Sequence, residues 1–287
     1  MKDKTFTKYK QYIVHFAKKT YGCLRKRKYS FDYYVKNFIH ILNDVTKWEN
    51  LCLINTNAKK FHWKSIYNEY LKWSNDGIFE LAYKQFLTEH YFKMSRLVNN
   101  TNINLFIDVT KINNKYGSEK VAINVEYKKK NVTSLSVICD SNKIPLGFQY
   151  VDINVRPGKK NSFKHEIKNV QNTLDTIPIN FDDHNVNIMG DKGYVCKDKY
   201  KLGKLNLPLI CPKKKNQKTK NTTEEILLLR KRHKIENLFA SLKNTNRINV
   251  RKDKKIGTFM SFVYLGFLEY LFKYNDTHEN ILVQIPS

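Results

Sequence analysis

The sequence predicts an α/β protein: a mixed sheet flanked by helices, behind a small all-α N-terminal domain. Two observations lead there. Apolar residues recur at helical spacing from about residue 30 to 95, and after the polar stretch VNNTNIN (98–104) the period shortens to that of strands, which then alternate with helices. The expected organisation is therefore a helical domain over residues 1–97 and a larger α/β domain over 98–287, with a basic insertion near 212–225.

In the first region, FHWKSIYNEYLKW places Trp63, Ile66, Tyr67, Tyr70 and Leu71 on one helical face, and Ser74–Gly77 supplies turn chemistry. The pattern then resumes with Ile78, Phe79, Ala82, Tyr83 and Phe86. Two helices across a short turn with basic surroundings suit either a helix-turn-helix that enters a DNA groove or a plain helical hairpin. Trp63 and Trp73 read as core residues rather than base-stacking platforms.

In the second region, LFIDVT, VTSLSVICD and PLGFQYVD suggest a three-stranded meander. A helix over about Phe163–Leu174, a strand NVNIMGD, a short helix near Lys197–Leu202 and a strand LPLICP follow. PKKKNQKTKNTTEE reads as a solvated basic loop before a long helix from Thr223 to about Asn244. The apolar run Phe259–Phe272, broken by Ser261, Gly266 and Glu269, is too short to span a bilayer and reads as a buried helix.

At 287 residues, 41% hydrophobic and 13% aromatic, the chain can fill one large core or two modest ones. Its 52 Lys and Arg against 26 Asp and Glu leave +26, which points to a polyanionic partner, nucleic acid before an anionic membrane. Richness in Lys, Asn, Ile and Tyr also fits translation of an AT-rich genome, so part of the charge is compositional. The five cysteines lack paired spacing, which argues against a disulfide framework or a zinc site. MKDKTFTKYKQYIV lacks a secretory pattern, so the expected setting is cytoplasmic, nucleoid-associated in a bacterium, with a nuclear or viral-host setting left open.

Asp108 and Asp191 each stand at a strand exit, the rim where open α/β sheets keep their sites. Glu236 is the lone acid in RKRHKIENLFASLKNTNRINV, beside the apolar stripe Ile235, Leu238, Phe239 and Leu242. At 100° per residue Arg232, Glu236 and Lys243 fall within about 40° of one another. A solvated Arg232–Glu236 pair would explain two of these residues, but not Lys243 or the two rim aspartates.

FIDVTKINNKYG, MGDKGYV and RKRHKIENLFASLKNTNRINVRKDK together resemble the three acidic motifs of DDE-type transposases of bacterial insertion sequences, the superfamily of Insertion Sequences Four and Five. HWKSIYNEYLKWSNDGIFE resembles that family's N-terminal segment and PKKKNQK its basic stretch after the penultimate core strand. The family's third motif spaces Tyr, Arg, Glu and Lys; Arg232, Glu236 and Lys243 hold those spacings, and Leu229 stands where the tyrosine would be.

The resemblance implies a ribonuclease H-like catalytic domain that cuts DNA and joins the freed 3′-hydroxyl to a target. It implies Asp108, Asp191 and Glu236 as catalytic residues holding two Mg²⁺ ions, with Mn²⁺ as a substitute. Expected partners are double-stranded DNA, as transposon ends and target, and a second copy of the chain in a homodimer, with no membrane. Arg232, Lys243, Lys213, Lys214, Lys215, Arg247 and Arg251 are expected along the phosphates. His165 and His233 read as surface or phosphate contacts rather than ligands. Rival readings are an inactive DNA-binding descendant of such an enzyme and a metal-dependent nuclease without strand transfer.

Overall fold

The computed structural model describes residues 3–22, 28–44, 47–54, 62–95, 102–124, 130–154, 161–195, 198–213 and 220–278. The chain opens with helices α1 (Asp3–Tyr21), α2 (Phe31–Asn43), α3 (Leu51–Ile54), α4 (Trp63–Asn75) and α5 (Ile78–Ser95). Strands β1 (Asn102–Asn114), β2 (Ala122–Asn124), β3 (Lys130–Asp140), β4 (Pro145–Tyr150), β5 (Ile153–Asn154) and β6 (Ser162–Phe163) follow. Then come α6 (Val170–Leu174), β7 (Asn185–Met189), β8 (Lys199–Leu202), β9 (Leu205–Ile210), α7 (Thr223–Arg230), α8 (His233–Lys243), α9 (Asn246–Asn249) and α10 (Ile256–His278). These elements fall into two compact units, Met1–His90 with Leu242–Ser287, and Tyr91–Ser241. The 97/98 boundary read from periodicity assigns everything from Leu242 onward to the sheet region, whereas the packing groups that segment with the N-terminal helices.

In the helical unit, Ser30 starts α2 by accepting the Tyr33 N–H on its Oγ at 3.2 Å. Of the stripe expected on α4, Ile66 and Tyr70 are buried and Trp63, Tyr67 and Leu71 only half-buried, with Trp73 buried beside them; on α5, Ile78, Phe79, Ala82, Tyr83 and Phe86 are all buried. Gly77, at φ 71, makes the turn between these helices in a conformation that a side chain would strain. Trp73, Phe38 and Phe79 pack ring on ring at 5.3 to 6.1 Å, and each large ring withdrawn from water contributes roughly 2–3 kcal/mol. Two tyrosines tie distant segments together, Tyr9 donating to the Leu265 carbonyl and Tyr70 to that of Thr258, both at 2.9 Å. The run Phe259–Phe272 lies in α10, largely buried. Gly266 leaves room for the side chain of Ile248, which occupies the place a Cβ would need. Among the described residues no helix is long and apolar enough to cross a membrane.

In the other unit β1 is the centre of the sheet. β3 pairs with it antiparallel, from Leu105↔Asp140 to Asn113↔Val132, and β3's far edge is shared by β2 and β4. On β1's other side β7 and then β9 run parallel to it, with β8 folded back on β9. The path β4-β3-β1-β7-β9-β8 is thus an antiparallel meander extended by two parallel strands, the ribonuclease H-like arrangement expected. α6 covers one face: Thr173 donates to Ser136 Oγ at 2.9 Å, and a Cβ at Gly147 would meet Thr176 Oγ1 at 2.6 Å.

Three local expectations change. Residues 199–202 form β8 rather than a helix, because Tyr200 and Leu202 are buried while Lys199 and Lys201 are exposed, and Gly203 at φ 58 closes a tight turn onto β9. The helix expected over Phe163–Leu174 forms only from Val170, after a 3₁₀ turn at Glu166–Asn169, with Phe163 in β6. The helix expected over Thr223–Asn244 is two helices broken at Lys231–Arg232.

Candidate active site

β1 alternates faces, so Ile107 and Val109 lie to one side of the sheet and Asp108 to the other. Asp108 is three strand positions past Leu105, beyond the last residue that β7 pairs. Its Oδ1 accepts the Val109 N–H at 2.8 Å. Its Oδ2 lies 3.8 Å from Arg232 Nη2. Burial is the largest influence on this carboxyl and pushes its pKa up; the Val109 N–H and Arg232 pull it down, and Asp191 and Glu236 push it up.

Asp191 follows β7 after Gly190. β1 and β7 keep one register from Asn102↔Asn185 to Phe106↔Met189, and two more residues on each strand lead to Asp108 and to Asp191. Asp191 caps the turn Lys192–Tyr194, its Oδ1 accepting the Gly193 N–H at 2.6 Å, which leaves Oδ2 to other partners. Gly190 permits this bend, since a Cβ there would meet the Tyr194 side chain at 3.1 Å.

Glu236 stands in the first turn of α8 with its side chain 61% exposed, against 19% for Asp108. The helix break at Lys231–Arg232 keeps the i, i+4 relation, with Arg232 Nη2 at 3.7 Å from Glu236 Oε1. One guanidinium nitrogen therefore lies near two carboxylates at distances longer than a hydrogen bond, while the buried Arg232 Nε has no acceptor among the described residues. Sequence spacing put Arg232 and Glu236 on one helix face, and a salt bridge between them was the plainer alternative there. The contact with Asp108 had no local signal, because it depends on how α8 returns to β1.

Among the described residues no three His, Cys, Asp or Glu side chains stand close enough together to hold a metal ion. The side chains of Asp108, Asp191 and Glu236 offer oxygen donors alone, the kind a hard divalent cation takes.

The basic residues divide. Lys243, at the end of α8, is half-buried, and desolvation lowers its ammonium pKa. Lys213 donates from Nζ to the Lys220 carbonyl at 3.1 Å; Lys214 and Lys215 lie outside the described residues. Arg247 and Arg251, expected on the phosphates, are buried instead. Arg247 donates from Nε and Nη2 to the two carboxylate oxygens of Asp253 at 3.1 and 2.9 Å, and Arg251 donates to the carbonyls of Asp253 and Lys254. Buried guanidinium groups held this way are structural, so both leave the DNA-facing set. His165 and His233 make local contacts, Nδ1 of the first near the Ile167 N–H and of the second near the Arg230 carbonyl.

No curated protein and no solved structure matches this chain. Residues 147–256 match the family model described as the transposase DDE domain, a stretch that holds Asp191, Arg232, Glu236 and Lys243 and begins after Asp108. Residues 147–256 are thus similar to the transposase DDE domain, in a chain whose sheet has the ribonuclease H-like arrangement.

Proposed function

We propose that the protein is a DNA transposase that cuts phosphodiester bonds at the ends of a mobile element and joins the freed 3′-hydroxyl to target DNA. The observation that carries this reading is that Arg232 lies between Asp108 of β1 and Glu236 of α8, at 3.8 and 3.7 Å, while Asp191 follows the strand that β1 pairs in parallel. Asp108, Asp191 and Glu236 would hold Mg²⁺, or Mn²⁺ in its place. Divalent ions bound there supply Lewis acidity at the phosphate and a more acidic water.

The chain's own residues supply the rest. Arg232 balances the acids and, when a phosphate enters, offers its unpaired Nε–H to it. Lys243 and Lys213 extend the positive track, and the spacing of Arg232, Glu236 and Lys243 supports placement in the superfamily of Insertion Sequences Four and Five. Two copies would engage the two element ends. End recognition falls to exposed residues of the helical unit or to the basic stretch around Lys213–Lys220. The outward side of α5 suits this poorly, since Glu80 there pairs with Lys84 at 2.7 Å and Glu89 accepts from Gln85.

The test uses supercoiled plasmid carrying the DNA that flanks the gene, with Mg²⁺ and with Mg²⁺ chelated. Metal-dependent cutting at the element boundaries and covalent joining to a second plasmid are expected from the native chain. Binding with no cutting would instead favour the inactive descendant, and cutting with no joining a nuclease.

A further inference from the structure

α7 (Thr223–Arg230) is a well-capped helix with no residue in the core. Glu225 donates its N–H to Thr222 Oγ1 at 3.1 Å and accepts the Thr222 N–H on Oε2 at 3.0 Å, yet none of the eight residues is buried. So short a helix is marginal in water, because nucleation costs more than two turns return and a cap offsets only part of that; packing of an apolar face normally makes up the difference. Here the run ILLL passes through the helix, and its first two residues face solvent, Ile226 at 42% and Leu227 at 53% exposure, with Leu228 and Leu229 half-buried. By contrast α8, the next helix, buries Ile235, Leu238 and Phe239.

The exposed side has an order along the helix axis. At 100° per residue Glu224 and Lys231 lie within about 60° of Leu227 on one side and Arg230 within about 60° on the other, all of them exposed. The acid comes three residues before Leu227 and the cations three and four residues after it, so the face reads acid, apolar, base. A face of that order complements itself when turned end for end. Two such helices packed antiparallel about a two-fold axis at Leu227 would set Leu227 against Leu227, and Glu224 of each opposite Arg230 and Lys231 of the other, roughly 5 Å along the helix from the centre. DNA suits the face poorly, since its phosphates repel Glu224 and give Ile226 and Leu227 no apolar surface.

We infer that α7 is the contact surface for a second copy of this chain, in an antiparallel, two-fold helix pair centred on Leu227. The inference supplies a surface for the two copies proposed above and rests on that reading, while its test needs no DNA. A contact of two helical turns is smaller than the roughly 1,200–2,000 Å² of a stable interface, and a net charge of +26 on each copy opposes it. The pair is therefore weak in free solution and is reinforced when one DNA holds two copies close together.

The test is sedimentation equilibrium of the full chain, freed of nucleic acid, in about 0.3 M salt to screen the net repulsion. Reversible dimerisation with a Kd of about 1–100 µM is expected. Leu227→Asp should weaken it by about tenfold or more, and because this side chain is exposed the thermal midpoint at monomeric concentrations should match that of the native chain. Glu224→Lys, and separately the double variant Arg230→Glu with Lys231→Glu, each set like charges across the axis and should dimerise at least about tenfold more weakly alone. Mixed together, these two variants should pair at close to native strength, since every charge then meets its opposite. A native chain that stays monomeric up to about 300 µM, dimerisation that survives Leu227→Asp, or charge variants that associate no better mixed than apart, overturns the inference. Metal-dependent cutting and joining by a chain that fails these tests would leave the transposase reading standing, and a native dimer with this behaviour that neither cuts nor joins would leave the inference standing without it.

Discussion

Asp108, on β1, and Asp191, at the turn that follows β7, each stand two residues past the last pair of a parallel register that runs unbroken from Asn102↔Asn185 to Phe106↔Met189. Burial above all, and then Asp191 and Glu236, push the Asp108 pKa up, while the Val109 N–H and Arg232 pull it down. Glu236 stands on a helix with an exposed side chain, 3.7 Å from Arg232 Nη2.

Asp108→Asn and Glu236→Gln should each retain DNA binding and lose metal-dependent cutting by on the order of a hundredfold or more, equivalent to about 3 kcal/mol of barrier. Gel-shift and plasmid cutting assays on the same preparations check this. Cutting at the native rate by either variant would remove that residue from the site.

Arg232→Ala removes the cation that lowers the Asp108 pKa, so this carboxyl, already raised, should hold its proton to still higher pH. The acidic limb of the cutting profile should therefore move to higher pH. DNA binding should weaken, and its dependence on log salt flatten by about one unit of slope, because one phosphate contact fewer releases one counterion fewer. A limb that stays in place would mean that Arg232 does not face Asp108 in solution.

Arg247→Ala should act on stability and leave DNA alone. Its guanidinium and the Asp253 carboxylate are each 4% exposed, and breaking such a pair leaves a buried charge, typically about 3–5 kcal/mol. Thermal unfolding should show the loss, while the salt slope of DNA binding by the folded variant should equal that of the native chain.

Asp140 gives the fold a pH dependence away from the site. Burial pushes its carboxyl up to about 7, against the pull of N–H bonds to Oδ1 from Asn142 and Ile144 at 2.9 and 2.8 Å. An ordinary carboxyl titrates near 4 when unfolded, so between about pH 4 and 7 the native state binds the extra proton and stability falls as pH rises. Below that window, where both states are protonated, the contribution is level, and above it the full cost of the buried charge remains. Asp140→Asn keeps an oxygen for both N–H groups and removes the charge. It should raise stability at pH 8 by roughly 2–4 kcal/mol and flatten the slope between pH 4 and 7, as read from denaturant midpoints.

Deleting residues 1–95 would not isolate DNA recognition. It would take away Tyr9 and Tyr70, which hold α10 through the Leu265 and Thr258 carbonyls. Substitution of exposed α4 residues such as Lys64 tests the helical unit's role with its core intact. End preference should fall in Lys64→Glu if this unit reads the ends, with competition against random duplex at fixed salt as the measure.

The sequence by itself determined what depends on local periodicity and spacing. It placed the meander strands, the buried α10 run and the core roles of Trp73 and Phe79, and it singled out Asp108, Asp191 and Glu236 as the acids to examine. The i, i+4 relation of Arg232 and Glu236 was legible for the same reason, since it needs only one turn of helix. Tertiary structure decided the rest. Lys199–Leu202 became a strand because β9 offered an edge to pair with, and Arg247 and Arg251 turned inward because Asp253 and nearby carbonyls lay within reach of their guanidinium groups. A positive charge in a sequence does not say whether its partner is a phosphate or the protein itself. The approach of Arg232 to Asp108 depends on a contact between residues far apart in the chain, which no local pattern encodes.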